Sequence, residues 1–504
     1  MRQARVWWRG VVVAATVGLV ALVTPGPAFA KDGLDLAAVE RLVTDFADQG
    51  GYPGIAIAIT KGDQVVHVGG YGHDSSGAAV TATTPMPVAS VSKSFTALAV
   101  MQLVEAGKVT LDAPVRDYLP DFRIAAPQGA RITVRQLLNQ TSGITDRTFP
   151  EKSLPQPDSL AGAVVRAHAA TLAVQPGTKH FYTNTNYHLA ARLVEVVAGE
   201  PFAQYLRRQV LEPLGMRAST TIDLTPRDLP DNVRAGHIYA YGAAIALSES
   251  TRFVNGSDGI ITTAQDMAQW LIVQNNGGKA ANGTRLVSPA SIKAMHTSSD
   301  PRWTYGMGWD TDQEGRVRHN GVWFTYTASQ LLLSSGYGIA VIGNSGIGLG
   351  NEGTDQLADG LASLLEGAKP SGAAPIRLVI DLILGGLTVV SLFLGVRNLR
   401  RTQVWANRLV TRPVWRLALR LLPRLVPLAL LVTLPDLLGL LYGGGRDVTY
   451  VQLGYYSVAL VTWTAVAVAM NLGVLGARTV ALLRLRRRTG TTPTPEASAQ
   501  LVAG

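Results

Sequence analysis

Residues 90–101 read SVSKSFTALAVM, and Gly107 follows shortly after them. The apolar spacing predicts a helix from about 90 to 106 that ends at this glycine. Because residues three apart share one helical face, the Ser90 hydroxyl and the Lys93 ammonium are expected side by side, where the lysine can assist deprotonation of the serine. Backbone N–H groups at the helix start would stabilise an oxyanion. The motif predicts a nucleophile at Ser90; the alternative is that Ser90 only caps the helix.

Two later segments carry side chains that suit acyl transfer from a serine. Tyr182 and Asn184 precede a helix predicted over 185–198, and His319 lies in a strand predicted over 317–322. These groups would supply a second proton carrier, an orienting amide and an imidazole that faces the substrate. Each also has an ordinary interpretation, with Tyr182 as a half-buried aromatic and His319 as a core or surface histidine.

The order of predicted elements indicates the fold class. Strand patterns at 53–59 and 64–68 form a hairpin, mostly helical patterns follow, and strand patterns return at 317–322, 326–334 and 337–343 before a helix near 352–366. Strands at both ends with helices between them predict an α+β domain over residues 31–370. Its antiparallel sheet would be flanked by helices and closed by the two ends of the domain.

Together these motifs resemble the serine β-lactamase-related hydrolases of the penicillin-binding-protein, class C β-lactamase and D-alanyl-D-alanine carboxypeptidase type. The resemblance covers about residues 35–368 and rests on nine segments in the family order. They are 53–58 (PGIAIA), 90–93 (SVSK), 111–115 with 118–120 (LDAPV, YLP), 137–144 (LLNQTSGI), 182–184 (YTN), 212–216 (EPLGM), 259–263 with Asp266 (GIITT), 305–309 (YGMGW) and 319–321 (HNG).

The resemblance implies a role for each matching residue. Ser90 would attack a carbonyl, Lys93 and Tyr182 would carry its proton to the leaving group, and Asn184 would hold Lys93 and the substrate amide. The remaining substrate-binding positions would be His319, Asn320 and Gly321, with Gly321 keeping the strand edge open. Backbone N–H groups of Ser90 and Val322 would form the oxyanion hole.

Two departures from the family pattern bear on the substrate. His319 stands where classical penicillin-recognising enzymes have lysine, and Asn320 replaces the usual threonine or serine. Trp323 and Phe324 follow where the family commonly has small residues. These changes argue against a dedicated β-lactamase, while small peptide, ester and lactam substrates all stay open.

The N-terminus has the three parts of a secretory signal peptide. Arg2, Arg5 and Arg9 precede an apolar run over 11–23, and Ala28-Phe29-Ala30 matches a cleavage site. We therefore expect a signal peptide over residues 1–30, with an uncleaved anchor helix as the alternative.

The C-terminal third predicts a membrane region. After a linker at 371–375, apolar stretches at about 376–396, 425–443 and 453–477 predict three transmembrane helices within 376–480, followed by a basic tail at 481–504. Arginines between the first two helices and after the third place those segments in the cytoplasm. The expected protein is a multi-pass cell-membrane protein with an extracytoplasmic domain and a short outer turn at 443–450. Asp381 and Asp436 inside the apolar stretches would pair across helices or reach the outer interface.

Composition excludes several classes of function. The net charge of +10 lies beside the terminal apolar runs, so nucleic acid is not expected as a partner. The chain has no cysteine, which excludes disulfides and thiolate chemistry. No His-x-x-x-His pair or accompanying carboxylate cluster indicates a metal, and no cofactor is expected.

Three hypotheses remain. The first is a membrane-tethered serine hydrolase that acts on cell-wall peptides or related amides and esters. The second is a non-turnover penicillin-binding receptor, although the residues after Arg478 leave little room for an effector domain. The third is a binding or scaffold protein of the same fold. Membrane lipid would contact the three helices, and the sequence identifies no protein partner.

Overall fold

The computed structural model describes residues 34–350, 353–370, 374–443 and 446–490. The predicted signal peptide, part of the linker and the end of the basic tail lie outside these ranges. The described residues from Leu36 onward form one compact unit.

The described residues form strands of two to nine residues. They are β1 (Gly54–Lys61), β2 (Gln64–Gly72), β3 (Met86–Pro87), β4 (Thr220–Thr221), β5 (Leu224–Thr225), β6 (Gly236–Ala240), β7 (Ala243–Leu247), β8 (Arg252–Phe253), β9 (Ile260–Thr262), β10 (Asp310–Thr311), β11 (Val317–Val322), β12 (Thr327–Leu332) and β13 (Tyr337–Gly343).

The helices divide into those of the N-terminal domain and those of the C-terminal part. The first set is α1 (Leu36–Gly50), α2 (Ser92–Glu105), α3 (Val134–Leu138), α4 (Leu160–Ala167), α5 (Thr185–Ala198), α6 (Phe202–Leu206), α7 (Glu212–Leu214), α8 (Ala264–Asn275), α9 (Pro289–His296) and α10 (Asp355–Leu365). The second set is α11 (Ile376–Arg400), α12 (Thr402–Leu409), α13 (Val414–Leu421), α14 (Val426–Gly443), α15 (Tyr450–Tyr456) and α16 (Val458–Thr489).

The main sheet joins the two ends of the N-terminal domain. Among the described residues, its six strands lie in the order β10-β11-β12-β13-β1-β2, and all neighbouring pairs are antiparallel. Strand β1 pairs with β13 so that Ile57 lies opposite Val341, and both side chains are fully buried. This arrangement confirms the predicted α+β fold, with a sheet that the first and last strands close.

Helices cover both faces of this sheet. Helix α8 packs against β1 and β13, while α10 packs against β12 and β13 and also contacts α1. Helix α2 is buried along most of its length beside α5, and its Phe95 ring stacks on Trp270 with centroids 3.7 Å apart. Because α2 has almost no exposed face, the residues at its start are held rigidly.

The C-terminal part contains the predicted apolar helices. Within the described ranges, three segments are long and apolar enough to cross a membrane: residues 376–400, 414–441 and 458–488. The third begins later than the sequence predicts, because Ser457 interrupts the helical backbone and its hydroxyl caps α16 by accepting from Leu460 N.

Two polar residues in the first turns of α11 contact the N-terminal domain. The buried Arg377 guanidinium donates to Gly50 O and Gly346 O, and Asp381 accepts from the backbone N–H of Tyr241 at 2.8 Å. Both residues therefore attach α11 to the domain, rather than pairing across helices or extending to the interface.

Candidate active site

Ser90 lies in a single 3₁₀ turn, Ala89–Val91, directly before α2. The preceding Ala89 has a φ of +46°, in the left-handed region that costs a residue with a side chain about 1 kcal/mol. A hydrogen bond from Val88 N to Ile260 O holds the segment in place. Strain of this kind persists where surrounding contacts impose it, and here it precedes the predicted nucleophile.

The fully buried Lys93 ammonium lies among oxygen atoms. Its Nζ donates to Ser90 Oγ at 2.9 Å, Asn184 Oδ1 at 2.9 Å and Ser257 O at 3.0 Å. It also lies 3.2 Å from a carboxylate oxygen of Asp258. The lysine ammonium has three N–H donors and no acceptor, and four oxygens surround it. It therefore donates to the serine oxygen. The predicted Ser90–Lys93 proximity is therefore present.

Asp258 is a site residue that the sequence analysis did not identify. Its Oδ1 accepts the Ser90 hydroxyl proton at 2.6 Å, and its Oδ2 accepts from Ser257 Oγ at 3.0 Å. Burial alone would raise the pKa of Asp258, but the positive charges of Lys93 and Arg252 and the Ser90 hydrogen bond lower it below its ordinary value. Asp258 is thus an ionised acceptor at the serine oxygen.

Tyr182 and Asn184 reach the site from the segment before α5. Asn184 donates from Nδ2 to Glu151 Oε1 at 3.1 Å, which directs its carbonyl oxygen at Lys93. The Tyr182 ring lies 4.9 Å from Lys93 Nζ. Gln140, in the left-handed region at φ +62°, accepts from Phe181 N through its carbonyl and from Thr183 N through its side chain.

Glu151, which accepts from the Asn184 amide, is a second site residue that the sequence did not indicate. Burial opposes its ionisation, yet His188, whose Nε2 lies 3.7 Å from Glu151 Oε2, and nearby Lys152 and Arg166 lower the pKa of Glu151 to about 2. Glu151 therefore remains an anion that orients the Asn184 amide. Its position in the sequence gave no signal of this role.

His319, predicted to bind substrate, is buried beside the Tyr182 ring, with ring centroids 6.0 Å apart, and is not among the residues that line the cavity. Both of its ring nitrogens are engaged. A carbonyl can only accept, so Nδ1 donates to Asn320 O at 2.6 Å and Nε2 accepts from the Tyr305 hydroxyl at 3.0 Å. Burial and the Lys93 charge lower the pKa of His319 to about 3. The position that classical relatives fill with a cation is neutral here.

The residues that follow His319 in β11 lie at the cavity and at the serine turn. Asn320 and Val322 line the cavity, and the Asn320 amide donates to Asp355 Oδ2 at 2.6 Å. Gly321 packs against the serine turn, where an added Cβ would lie 2.1 Å from Val88 O. Glycine at 321 therefore allows β11 to approach the turn that carries Ser90. Trp323 is fully buried and its indole N–H donates to the backbone carbonyl of Asp258 at 3.1 Å, so it holds the backbone at that residue.

Ser90 opens into a cavity of about 320 Å³ that both parts of the chain enclose. The N-terminal domain contributes Ser90, Lys152, Tyr182, Asn184, Arg252, Asp258, Asn320, Val322, Phe324 and Ile347. The C-terminal part contributes Leu438, Arg446, Val448, Gln452 and Tyr456.

The connection between α14 and α15 docks onto the domain through two carboxylates. Asp146 accepts from Arg446 Nε at 2.6 Å and from Asp447 N at 3.2 Å. Asp447 in turn accepts from Lys152 N, Ser153 N and Ser153 Oγ at 2.8–3.1 Å. Arg446 also lies 4.8 Å above the Tyr182 ring. Arg446 and Val448 of the predicted outer turn therefore form part of the cavity wall.

No group of three or more His, Asp or Glu side chains that could hold a metal ion occurs within the described residues. The serine, the lysine and the carboxylate that meet at the cavity are all protein groups, and they suit nucleophilic attack on a carbonyl.

An antiparallel sheet between helical layers, with a Ser-x-x-Lys turn facing a cavity beside β11, defines the β-lactamase-like class of α+β proteins. The chain belongs to the β-lactamase family: the family model described as Beta-lactamase matches residues 39–363. The resemblance inferred from the motifs is therefore confirmed.

Individual relatives agree with this assignment. Penicillin-binding protein 4 of Amycolatopsis lactamdurans is 31% identical over 315 residues, which are 58% of this chain and 81% of that protein. Protein flp of Staphylococcus aureus (strain MW2) is 27% identical over 61% of this chain, which spans 62% of that protein's length. Among solved structures, the octameric penicillin-binding protein homologue from Pyrococcus abyssi is 26% identical, with a TM-score of 0.58 over 70% of this chain and 82% of its own.

Proposed function

We propose that this protein is a membrane-anchored serine hydrolase that forms an acyl-enzyme at Ser90 on ester or amide substrates, including small peptides. The observation that carries the proposal is the position of Ser90 Oγ, 2.9 Å from Lys93 Nζ and 2.6 Å from Asp258 Oδ1 at the wall of a cavity. A nucleophile between a cation and an ionised acceptor is the arrangement that activates a hydroxyl group.

The proposed reaction has two steps. Ser90 Oγ forms a bond to the substrate carbonyl carbon, and its proton passes by way of the Lys93–Asp258 pair and Tyr182 to the leaving alcohol or amine, whose bond to the carbonyl carbon breaks. Water then attacks the acyl-enzyme, releases the acid and returns a proton to Ser90. Lys93 holds the serine oxygen and balances the charge of Asp258.

The other predicted residues have positions that suit supporting roles. Tyr182 faces the cavity and would deliver a proton to the leaving group, while Asn184 would keep Lys93 in place. Backbone N–H groups of Ser90 and Val322 would bind the oxyanion. This chemistry uses side chains and backbone only and calls for no cofactor.

The cavity wall supports ester or amide substrates over penicillins. The β11 position that carries a cation in classical penicillin-recognising enzymes is the neutral His319, and the Asn320 amide donates to Asp355. The cations that line the cavity already have partners: Lys152 Nζ donates to Asp447 O, Arg446 pairs with Asp146, and Arg252 lies 3.8 Å from Glu249. Phe324 also lines the cavity and reduces the space beside Ser90. Lactams would therefore acylate the protein slowly.

The proposed location is a cell membrane, with the N-terminal domain on the extracytoplasmic side. Three helices long and apolar enough to span a membrane, found within the described ranges, support the anchoring. The arginine-rich segment between α11 and α14 supports the orientation through the positive-inside rule.

A serine-reactive fluorophosphonate tests this proposal on the purified full chain in detergent. The probe should add one adduct, with loss of fluoride, and proteolysis should map the adduct to Ser90. Ser90→Ala should remove it, whereas Ser76→Ala, at an exposed turn, should retain it. A folded wild-type chain that acquires no adduct would favour a receptor or scaffold without turnover.

A further inference from the structure

The hairpin formed by β6 and β7 presents an apolar strand that nothing in the N-terminal domain covers. All five residues of β7 are exposed, whereas all five of β6 are buried. Ile245 and Leu247 are 44% and 37% exposed, and Tyr241 at the hairpin tip is 43% exposed. In water, an exposed apolar edge strand favours association with another apolar surface. What covers β7 therefore needs an explanation.

The tip of this hairpin lies against α11, a helix long and apolar enough to span a membrane. Tyr241 N donates to Asp381 Oδ2, and the Tyr241 ring approaches Gly385, where an added Cβ would lie 3.1 Å from Tyr241 Cε1. Gly385 is nine residues into α11, or about 13 Å along its axis. The hairpin therefore extends beside the first third of this helix, at the depth of a bilayer interface, and lipid is the natural cover for β7.

The cavity at Ser90 has an apolar wall at the same end of the helices. Leu438, in the last turns of α14, lines this cavity together with Val448 of the docked connection. Both side chains also pack against an apolar cluster whose buried members include Leu434 of α14 and Leu453 of α15. Leu438 and Val448 thus connect the cavity that Ser90 lines with the apolar cluster between the C-terminal helices.

We propose that the substrate is an amphiphile resident in the membrane, whose ester or amide carbonyl reaches Ser90 while its hydrocarbon chain stays beside α14. This inference rests on the proposed hydrolase function and specifies its substrate class. The depth of the β6–β7 hairpin places the N-terminal domain on the bilayer surface, and Leu438 provides the apolar path from the leaflet to the cavity.

Two fluorophosphonates with the same reactive group, one with a hexadecyl chain and one with an ethyl chain, test the inference on the full chain in phosphatidylcholine vesicles. Intact mass gives the rate of adduct formation. We expect the hexadecyl probe to react at least about tenfold faster, and its rate should fall when added lipid dilutes it in the membrane. Leu438→Gln should reduce the hexadecyl-to-ethyl rate ratio about tenfold. Leu440 lies on the same helix and is 59% exposed, so Leu440→Gln should keep the wild-type ratio.

The outcomes separate the two proposals. Equal rates for the two probes in the wild-type chain would overturn the amphiphile inference and leave a hydrolase of water-soluble substrates. A preference that persists in Leu438→Gln would also overturn it, because partition of the probe into lipid would then explain the rate. Val448→Gln serves as the second variant if Leu438→Gln does not fold. If neither probe reacts with a folded chain, the proposed hydrolase function itself fails.

Discussion

Arg446 in the connection between α14 and α15 donates to Asp146 of the N-terminal domain at 2.6 Å, across 300 residues of sequence. The Asp146 side chain is fully buried, and its Oδ1 has no hydrogen-bond partner among the described residues. The hydrogen bonds that this buried carboxylate accepts are therefore at Oδ2, from Arg446 and Asp447. This pair joins the connection between α14 and α15 to the wall of the candidate active site.

Removing Arg446 should destabilise the full chain. Arg446→Ala leaves a buried carboxylate without its cation, which costs on the order of 3 kcal/mol. Thermal unfolding in detergent would measure the loss, and Asp146→Asn combined with Arg446→Ala should lose less than the two single variants added together. Arg302→Ala, which breaks an exposed ion pair with Asp300, is the control and should cost under about 1 kcal/mol. A loss no larger than the control's would contradict the role of the pair.

Replacing the carboxylate at the serine should impair acylation. Asp258→Asn keeps the volume but removes the ionised acceptor, so the rate of fluorophosphonate labelling should fall by about 100-fold or more. Asp266→Asn alters another buried carboxylate, which binds Ser219 away from Ser90, and should change the rate less than twofold. Unchanged labelling in Asp258→Asn would mean that Lys93 or Tyr182 takes the serine proton without it.

His319 should make the protein less stable in acid. Its pKa is about 3 in the folded chain against an ordinary 6.5, so the folded state excludes a proton that the unfolded state binds. The folded state has its full stability with respect to His319 above pH 6.5. As the pH falls from there towards 3, the free energy of unfolding declines by about 1.4 kcal/mol per pH unit. Between pH 7 and pH 5 the wild-type chain should lose about 2 kcal/mol more than His319→Gln, as thermal unfolding would measure. Parallel losses in both chains would show that His319 titrates normally.

The β6–β7 hairpin should lie in the lipid interface. Because the chain has no cysteine, Ile245→Cys provides a single attachment point for an environment-sensitive fluorophore. In vesicles its emission should shift to the blue and be quenched by spin-labelled lipid. Val65→Cys is equally exposed but lies at the opposite end of the β1–β2 hairpin from the attachment of α11, and its label should behave as in water. Water-like emission at both positions would place the hairpin outside the bilayer.

The sequence predicted the sheet well because its strands are close to local turn signals. Strands β11 and β13 have the predicted bounds, since short turn segments bound them in the sequence. The β6–β7 hairpin was missed because its turn, Tyr241–Gly242, lacks the usual Asn-Gly signal. Tyr241 adopts a φ of +50°, and a contact with Asp381, 140 residues away, holds it there.

The sequence predicted those site residues that belong to a recognisable motif. Ser90, Lys93 and Asn184 meet within hydrogen-bonding distance, as the motif spacing and the family resemblance suggested. Asp258 was missed, although it directly precedes the motif at 259–263, because nothing local shows that it reaches a serine 168 residues earlier. The docked Arg446 was missed for the same reason, since an arginine in a short turn between apolar helices is equally consistent with exposure to solvent.

The docking of Arg446 and Asp447 also sets the order in which the active site matures. Ribosomes make the chain from its amino end, so the elements that carry Ser90, Tyr182 and Asp258 emerge long before the connection that closes the cavity. The nucleophile can form early, but the wall that contains Leu438, Arg446 and Val448 exists only after α14 and α15 have been synthesised. Completion of the cavity therefore follows the synthesis of α14 and α15, the last part of the chain to contribute to its wall.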